Sequence, residues 1–132
     1  MTAAVSSPFG LSQIAQIAVT VKDLPRAVAF YRDTLGMRLM FEAPPAMAFF
    51  DCGSVRLMLA TPEKPEFDHP ASIIYFNVAD IQQAARTLAE RGVAFEGEPH
   101  IVARLPHADI WMAFFRDMDR NLHALTSEVK RG

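Results

Sequence analysis

Four histidines and one cysteine carry the most reactive side chains of this 132-residue chain. Imidazole is a common metal ligand, so two histidines on one face could hold a divalent ion. Their spacing disfavours such a pair, because His69 follows an acidic stretch while His100 and His107 lie in a segment bounded by prolines. Cys52 has no histidine or other base beside it, which favours a packing role over a nucleophilic one. We therefore expect no metal shared between histidines and no cysteine chemistry.

The elements that position these residues form a repeat. Residues 17–36 have the sequence IAVTVKDLPRAVAFYRDTLG, and residues 74–92 have the sequence IYFNVADIQQAARTLAERG. Each begins with alternating apolar residues, which predicts a half-buried strand. Each continues with apolar residues at i, i+3, i+4 and i+7, which predicts a helix with one buried face. The helices are expected from Leu24 to Gly36 and from Ile81 to Arg91, each after an aspartate that can cap it.

Further strands complete each copy of the repeat. We expect strands at 37–42, 46–52 and 55–60 after the first helix, with a turn at Pro44 and Pro45. Strands at 93–96, 109–116 and 122–127 follow the second helix, with a longer excursion, PHIVARLPHAD, between the first two. This order predicts an α+β fold of two tandem βαβββ modules. Each curved sheet packs its helix on the convex side. The concave sides face either one another or those of a partner chain, and they leave a cleft between them.

The same pattern predicts how the chain is divided. Residues 1–10 are expected to form a flexible leader, and residues 11–128 a single domain with modules at about 13–60 and 72–127. Residues 61–70, rich in proline and acidic side chains, are typical of an exposed linker between the modules.

Composition restricts the partners of the chain. The net charge of -2 provides no broad positive field for nucleic acid or for an anionic membrane surface, so we expect neither as a partner. A single cysteine cannot form an intramolecular disulfide, and the N-terminus lacks the basic region and long apolar core of a secretory signal. A cytoplasmic location is the resulting expectation.

Four segments of the chain resemble a known family. They are VKDLPRAVAFYRDTLGM at 21–37, RLML at 56–59, IYFNVADI at 74–81 and DMDRN at 117–121. Together they resemble the vicinal oxygen chelate superfamily, which includes glyoxalase I, bleomycin-resistance proteins and extradiol dioxygenases. The resemblance implies the same fold of curved mixed sheets around a concave cleft. It leaves the reaction open, because this scaffold hosts many chemistries.

The resemblance also implies where a metal would be bound. Metal-dependent members carry their ligands at four positions on the concave strands, which fall at Gln16, Met58, Ile73 and Ala124 of this chain. Of these, only Gln16 has a donor suited to a divalent ion, since a thioether is a soft ligand and the other two side chains are hydrocarbon. We therefore expect no metal and no other cofactor.

Residues two apart on a strand share a face, so the same four positions predict the lining of the cleft. Arg56 would face inward, where it would bind a ligand's carboxylate or phosphate or pair with an internal acid such as Glu128. Trp111 would either stack on a planar ligand or fill the core. His123 should face away from the cleft, because it alternates with Ala124. The candidate ligand-binding residues are Gln16, Arg56, Met58, Ile73, Tyr75, Asn77, Trp111 and Ala124.

Three functions agree with these observations. The first is a metal-independent protein of the glyoxalase/bleomycin-resistance type that binds or sequesters a small, partly aromatic or amphipathic molecule. The second is a divalent-metal-dependent enzyme, a glyoxalase I-like lyase or isomerase or a ring-cleavage dioxygenase, using Gln16 with Glu128 and with His100 or His107. The third is an interaction module, which would have no ligand-sized cavity.

A homodimer is expected in addition, because a lone βαβββ sheet exposes a concave apolar face and edge strands. Phe9, Leu11 and the strand at 111–115 are the apolar segments expected near the contact.

Overall fold

The chain folds as two copies of one strand and helix arrangement. The computed structural model describes residues 9–43 and 46–131, so residues 1–8 of the expected leader and the turn at Pro44 and Pro45 lie outside the described residues. Each copy consists of a strand, a helix and then further strands that form one mixed sheet. The predicted α+β fold of two βαβββ units is confirmed. We call residues 13–60 the N-terminal module, residues 72–130 the C-terminal module and residues 61–70 the linker.

The N-terminal module is a four-stranded sheet in the order β1-β4-β3-β2. Its strands are β1 (Gln16–Thr20), β2 (Arg38–Ala43), β3 (Met47–Cys52) and β4 (Val55–Ala60). β1 and β4 are parallel, and the other neighbours are antiparallel. Val19, Phe50 and Leu59 are buried under the helix. Alternation along the strands therefore leaves residues such as Gln16 and Met58 on the opposite face.

The first helix changes its hydrogen-bonding pattern halfway along. α1 (Leu24–Ala29) begins after Asp23, whose carboxylate accepts a hydrogen bond from the amide of Arg26 at 3.2 Å. From Phe30 to Thr34 the chain is π-helical, and the amide of Leu35 donates to the carbonyl of Phe30 at 2.9 Å. The prediction of one regular helix as far as Gly36 is therefore corrected. Tyr31 lies in this wider turn and is fully buried.

The C-terminal module repeats this topology with one addition. Its strands are β5 (Ile74–Asn77), β6 (Ala94–Phe95), β7 (His100–Arg104), β8 (Ala108–Arg116) and β9 (Leu122–Lys130), in the order β5-β9-β8-β6 with β7 also on β8. The longer excursion expected at 99–109 is present, and it contains the strand β7, which was not predicted. The strands β6 and β7 pair with successive parts of β8, so together they occupy the place of β2.

The second helix packs across this sheet. α2 (Ile81–Glu90) begins after Asp80, whose carboxylate accepts a hydrogen bond from the amide of Gln83 at 3.1 Å. Ile81 and Ala85 are buried against Phe115 and Leu125 of the sheet. This burial assigns the helix side of the C-terminal sheet.

Hydrogen bonds around one buried carboxylate join the two modules. Tyr31 of the N-terminal module donates its hydroxyl proton to Oδ2 of Asp117 at 2.7 Å. Asp117 also accepts from the backbone amides of Asp119 and Asn121 and from the side chain of Asn121. Asn121 in turn donates to the carbonyl of Thr20 at 3.1 Å. The turn between β8 and β9 is thereby held against the end of β1.

His123 extends this network into the core of the C-terminal module. Its ring is fully buried against Phe76 and Phe115, and its Nε2 lies 2.7 Å from the Tyr31 hydroxyl. Because Tyr31 gives its one proton to Asp117, Nε2 must carry a hydrogen and donate to the tyrosine oxygen. Nδ1 is then an acceptor, and it has no partner among the described residues. Burial lowers the pKa of His123, although nearby Asp117 opposes the shift, and burial raises the pKa of Tyr31.

We expect mild acid to destabilise the protein through His123. Because burial lowers its pKa in the folded chain, below about pH 6.5 the unfolded chain binds a proton that the folded chain does not. The contribution to stability is therefore complete above that pH and is lost as the pH falls toward the folded pKa. Thermal unfolding of His123→Leu should show a shallower loss of Tm than wild type between about pH 7.5 and pH 5.5. His107→Leu, at an exposed position, should keep the wild-type slope; equal slopes in all three proteins would contradict the role of His123.

Candidate functional site

The side of the N-terminal sheet that faces away from α1 is mainly apolar. Cross-strand partners share a face, and the pairs Gln16 with Arg56, Phe49 with Met58 and Phe41 with Phe49 all lie on this one. The rings of Phe41 and Phe49 stack with their centroids 4.6 Å apart. We call this surface, formed by residues 16, 18, 20, 41, 47, 49, 56, 58 and 60, the N-terminal concave face. It carries an amide and a guanidinium on a largely hydrocarbon surface.

A pocket of about 450 Å³ lies on this face, and the linker forms its outer wall. Ala18, Thr20, Met47, Met58 and Ala60 line it from the sheet, and Thr61, Pro62, Glu63, Phe67 and His69 line it from the linker. The hydroxyl of Thr20 donates to the carbonyl of Phe67 at 3.3 Å and so ties the linker across the face. The linker is exposed, as its composition predicted, but it is also part of a cavity, which its composition did not predict.

The positions that correspond to metal ligands in the family do not fit a metal in this chain. Gln16 and Met58 are adjacent on the N-terminal concave face, where Nε2 of Gln16 lies 3.5 Å from the Met58 sulfur. Ala124 pairs with Tyr75 in the other sheet, and Ile73 immediately precedes β5. An amide, a thioether and two hydrocarbon side chains are a poor donor set for any divalent ion. Within residues 9–43 and 46–131, no group of three or more His, Cys, Asp or Glu side chains could hold a metal ion.

The C-terminal sheet also has a face that is not covered by its helix. Tyr75 pairs with Ala124, and Asn77 pairs with Thr126, so these four residues share the face away from α2. The ring of Tyr75 meets Phe114 edge to face at 6.2 Å. We call this surface, formed by residues 73, 75, 77, 100, 110, 112, 114, 124, 126 and 128, the C-terminal concave face.

Two residues kept open as unusual metal ligands also lie on the C-terminal concave face. The ring of His100 stacks on Phe114 with the centroids 6.4 Å apart, and Glu128 pairs with Ile110. His107 does not lie on this face. It is in the turn between β7 and β8, where its carbonyl accepts a hydrogen bond from the amide of Arg131. For His100 the structure therefore shows stacking on Phe114 and a hydrogen bond from Nδ1 to the carbonyl of Glu98 at 3.0 Å.

The structure corrects the placement of Trp111. Along β8, Trp111 alternates with Met112, and it packs against the buried cluster under α2 that contains Ala113 and Phe115. It therefore lies on the helix side and belongs to the core rather than to the cleft. The packing role predicted for Cys52 is also corrected, because this side chain is exposed at the end of β3 and does not pack in the core.

Arg56 lies on the N-terminal concave face without a protein carboxylate. Its guanidinium carbon is 5.5 Å from the centroid of the Phe49 ring. Asp51, its cross-strand neighbour, is instead bound to Arg38 at 3.3 Å. In the described part of the chain, neither Glu128 nor another carboxylate lies within 4 Å of Arg56, so the internal ion pair considered from the sequence is not formed. The guanidinium is free to meet a ligand.

Phe49, Phe114 and Phe67 are site residues that the sequence reasoning missed. The first two have a signal in the sequence: a hairpin that turns at Gly53 and Ser54 pairs Phe49 with Met58, so both share a face. A similar count across the turn after β8 pairs Phe114 with Ala124. Phe67 has no such signal, since its position depends on how the linker folds back.

A second cavity, of about 440 Å³, lies on the helix side of the C-terminal sheet. Leu35 and Met37 line it from the end of the first helix, and Ala84 and Leu88 line it from α2. It shares no lining residue with the pocket under the linker.

Comparison with known families agrees with this geometry. Residues 13–125 match the model of the Glyoxalase/Bleomycin resistance protein/Dioxygenase superfamily. The chain belongs to this superfamily, and the resemblance found in its motifs is confirmed.

Individual relatives extend the comparison. The uncharacterized protein YraH of Bacillus subtilis (strain 168) is 30% identical over 127 residues, which cover 83% of this chain and 94% of YraH. TnmS3, an antibiotic binding protein from Streptomyces sp. CB03234, has a similar structure (TM-score 0.73, 23% identity, 92% of this chain and 99% of that one). Lactoylglutathione lyase from Agrobacterium tumefaciens is also similar (TM-score 0.70, 23% identity, 89% and 94%). The two solved structures support the fold alone. Neither helix in the described residues is long and apolar enough to cross a membrane.

Proposed function

We propose that this protein binds a small, partly aromatic or amphipathic molecule in its concave cleft without using a metal. The observation that carries the proposal is the donor set at the family's ligand positions, where Met58, Ile73 and Ala124 replace side chains that could bind a divalent ion. A binding role needs no further residues, because the cleft already provides an apolar pocket and exposed aromatic rings.

The shape of the site supports the same proposal. A pocket of about 450 Å³ is in the size range of small-molecule sites, which is the opposite of what a pure interaction module would have. Tyr75 and Asn77 offer hydroxyl and amide groups on the C-terminal concave face, and Arg56 offers a charged donor on the other. The antibiotic-binding TnmS3 and the lactoylglutathione lyase have this fold, so a binding protein and an enzyme are both precedents for it.

Location and other partners follow from composition. We place the protein in the cytoplasm, where its single cysteine would stay reduced, and we expect no nucleic-acid partner because the net charge is -2.

We predict that the purified, untagged protein contains no stoichiometric Zn, Ni, Mn or Fe after dialysis, because the donor set is unsuited to them. Elemental analysis of wild type beside Gln16→Ala measures this. About one metal ion per chain in the wild type, lost in the variant, would contradict the proposal and favour the metal-dependent lyase, isomerase or dioxygenase.

We predict a homodimer, because both concave faces expose large apolar side chains such as Phe41 and Tyr75, the latter 47% exposed. Phe9 and Leu11, 94% and 95% exposed, are further candidates for the contact. The strand at 111–115 is a weaker candidate than its sequence suggested, since β8 has neighbours on both sides. Light scattering at micromolar concentration should give twice the chain mass of 14.7 kDa. A monomer at that concentration would contradict the predicted homodimer.

We predict that Arg56 contributes to the binding of acidic ligands. A charge-assisted hydrogen bond is worth about 1.5–3 kcal/mol, so Arg56→Met should weaken a carboxylated ligand by roughly ten- to a hundredfold. Calorimetry with 2-naphthylacetate and with the neutral 2-(2-naphthyl)ethanol measures this, and the alcohol should be barely affected. The melting temperature should hardly change, because no carboxylate is left unpaired. A clear loss of stability with equal affinity for both probes would return Arg56 to a structural role.

A further inference from the structure

The linker encloses the pocket on the N-terminal concave face and supplies its titratable groups. The sheet contributes alanine, methionine and threonine side chains, whereas the titratable lining residues, Glu63 and His69, both come from the linker. We infer that the linker sets the specificity of this pocket: Phe67 closes its outer side, and Glu63 favours an apolar ligand that carries a positive charge, such as a primary amine. The inference rests on the proposed function, since it takes this pocket as part of the ligand site.

The hydrogen-bonding state of the linker agrees with a cationic ligand. Nδ1 of His69 lies 3.1 Å from the carbonyl of Pro70, so this nitrogen carries the hydrogen and donates it. In the neutral imidazole tautomer with the hydrogen on Nδ1, the other nitrogen, Nε2, is an acceptor. A carboxylate and an imidazole acceptor on one wall suit a ligand group with several N–H donors, which an ammonium has. The cation of the linker, Lys64, is not among the lining residues, and its ammonium lies 5.9 Å from the centroid of the Phe67 ring.

The attachment of the linker allows it to open. The amide of Thr61 donates to the carbonyl of Ala46 at 3.0 Å where the linker leaves β4, and the Thr20 hydroxyl bond to Phe67 holds its middle. The short 3-10 turn at Pro65–Phe67 keeps Phe67 over the pocket with its ring half exposed. The net contribution of one exposed side-chain hydrogen bond to stability is small, so the Thr20 bond is a weak barrier to releasing the middle of the linker for a ligand.

Arg56 and Glu63 lie toward opposite ends of the N-terminal concave face. Arg56 pairs with Gln16 at one end of β4, and Ala60 pairs with Thr20 at the other, where the linker crosses. Four residues of strand span about 13 Å. A group that meets Glu63 therefore lies far from Arg56, and the two charges can be tested separately.

The test uses a matched pair of probes, 2-(2-naphthyl)ethylammonium and 2-(2-naphthyl)ethanol, with affinity measured from naphthalene fluorescence anisotropy. Wild type should bind the ammonium more tightly than the alcohol. Glu63→Gln should weaken the ammonium by about two- to fivefold, as expected for an exposed ion pair, and leave the alcohol unchanged. Phe67→Ala should weaken both probes by roughly tenfold, because it removes apolar contact from each.

Two controls locate the effect. Glu66→Gln makes the same change of charge in the same linker at a residue that does not line the pocket, and it should leave both affinities unchanged. Met58→Trp should fill the pocket and abolish binding of both probes, with thermal unfolding measured to show that this variant is folded. Binding that persists in a folded Met58→Trp protein would place the probes elsewhere, such as the cavity beside α2, and would contradict this inference.

The remaining outcomes separate the inference from the proposed function. Equal losses in Glu63→Gln and Glu66→Gln would mean that only net charge matters and would overturn the role of Glu63. Loss of binding in Met58→Trp, with no effect of either Glu63→Gln or Phe67→Ala, would keep the cleft as a binding site and overturn the linker as its specificity wall. A wild-type protein that binds neither probe would contradict both proposals.

Discussion

The packing of one helix against each sheet decides which side chains remain for a ligand. In both modules the helix covers every second residue of the strands, such as Val19 and Leu59 in the first sheet and Leu125 in the second. The alternate residues of the same strands point to the other side of the sheet, where no helix of the described chain covers them, and they form the concave face. The hydrogen bonds from Tyr31 and Asn121 around Asp117 hold the two modules in one arrangement. The concave faces are therefore exposed because of how the helices pack on the sheets, whichever residues occupy those faces.

This constraint makes the residue types on the concave faces informative. The resemblance to the family implies four metal-ligand positions there, and in this chain they fall at Gln16, Met58, Ile73 and Ala124. Such a set cannot replace the hydration shell of a hard or borderline cation. The same faces carry stacked aromatic rings and three methionines, Met47, Met58 and Met112, which adapt to apolar ligands of irregular shape. The function that we propose is therefore recognition of a small molecule, with Arg56 and the linker as the charged parts of the site.

Much of the fold was predictable because its signals are local. The 3.6-residue and two-residue periodicities located both helices and most strands, and the repeat of the pattern predicted two similar modules. β7 was missed although it forms a local hairpin with β8, because prolines flank the segment and its pairing includes a register shift. Trp111 was placed in the cleft as one alternative, although its parity along β8, counted from Ala124, assigns it to the helix side. Phe67 had no local signal at all, since an irregular segment takes its position from tertiary contacts.

The claim that binding occurs without a metal is tested most directly by chelation. The affinity of 2-(2-naphthyl)ethanol for the untagged protein would be measured before and after exhaustive treatment with EDTA, and again after addition of Zn²⁺ or Mn²⁺. The account predicts the same affinity in all three states, because no residue at the family's ligand positions completes a metal site. An affinity that is lost on chelation and restored by the metal would contradict it.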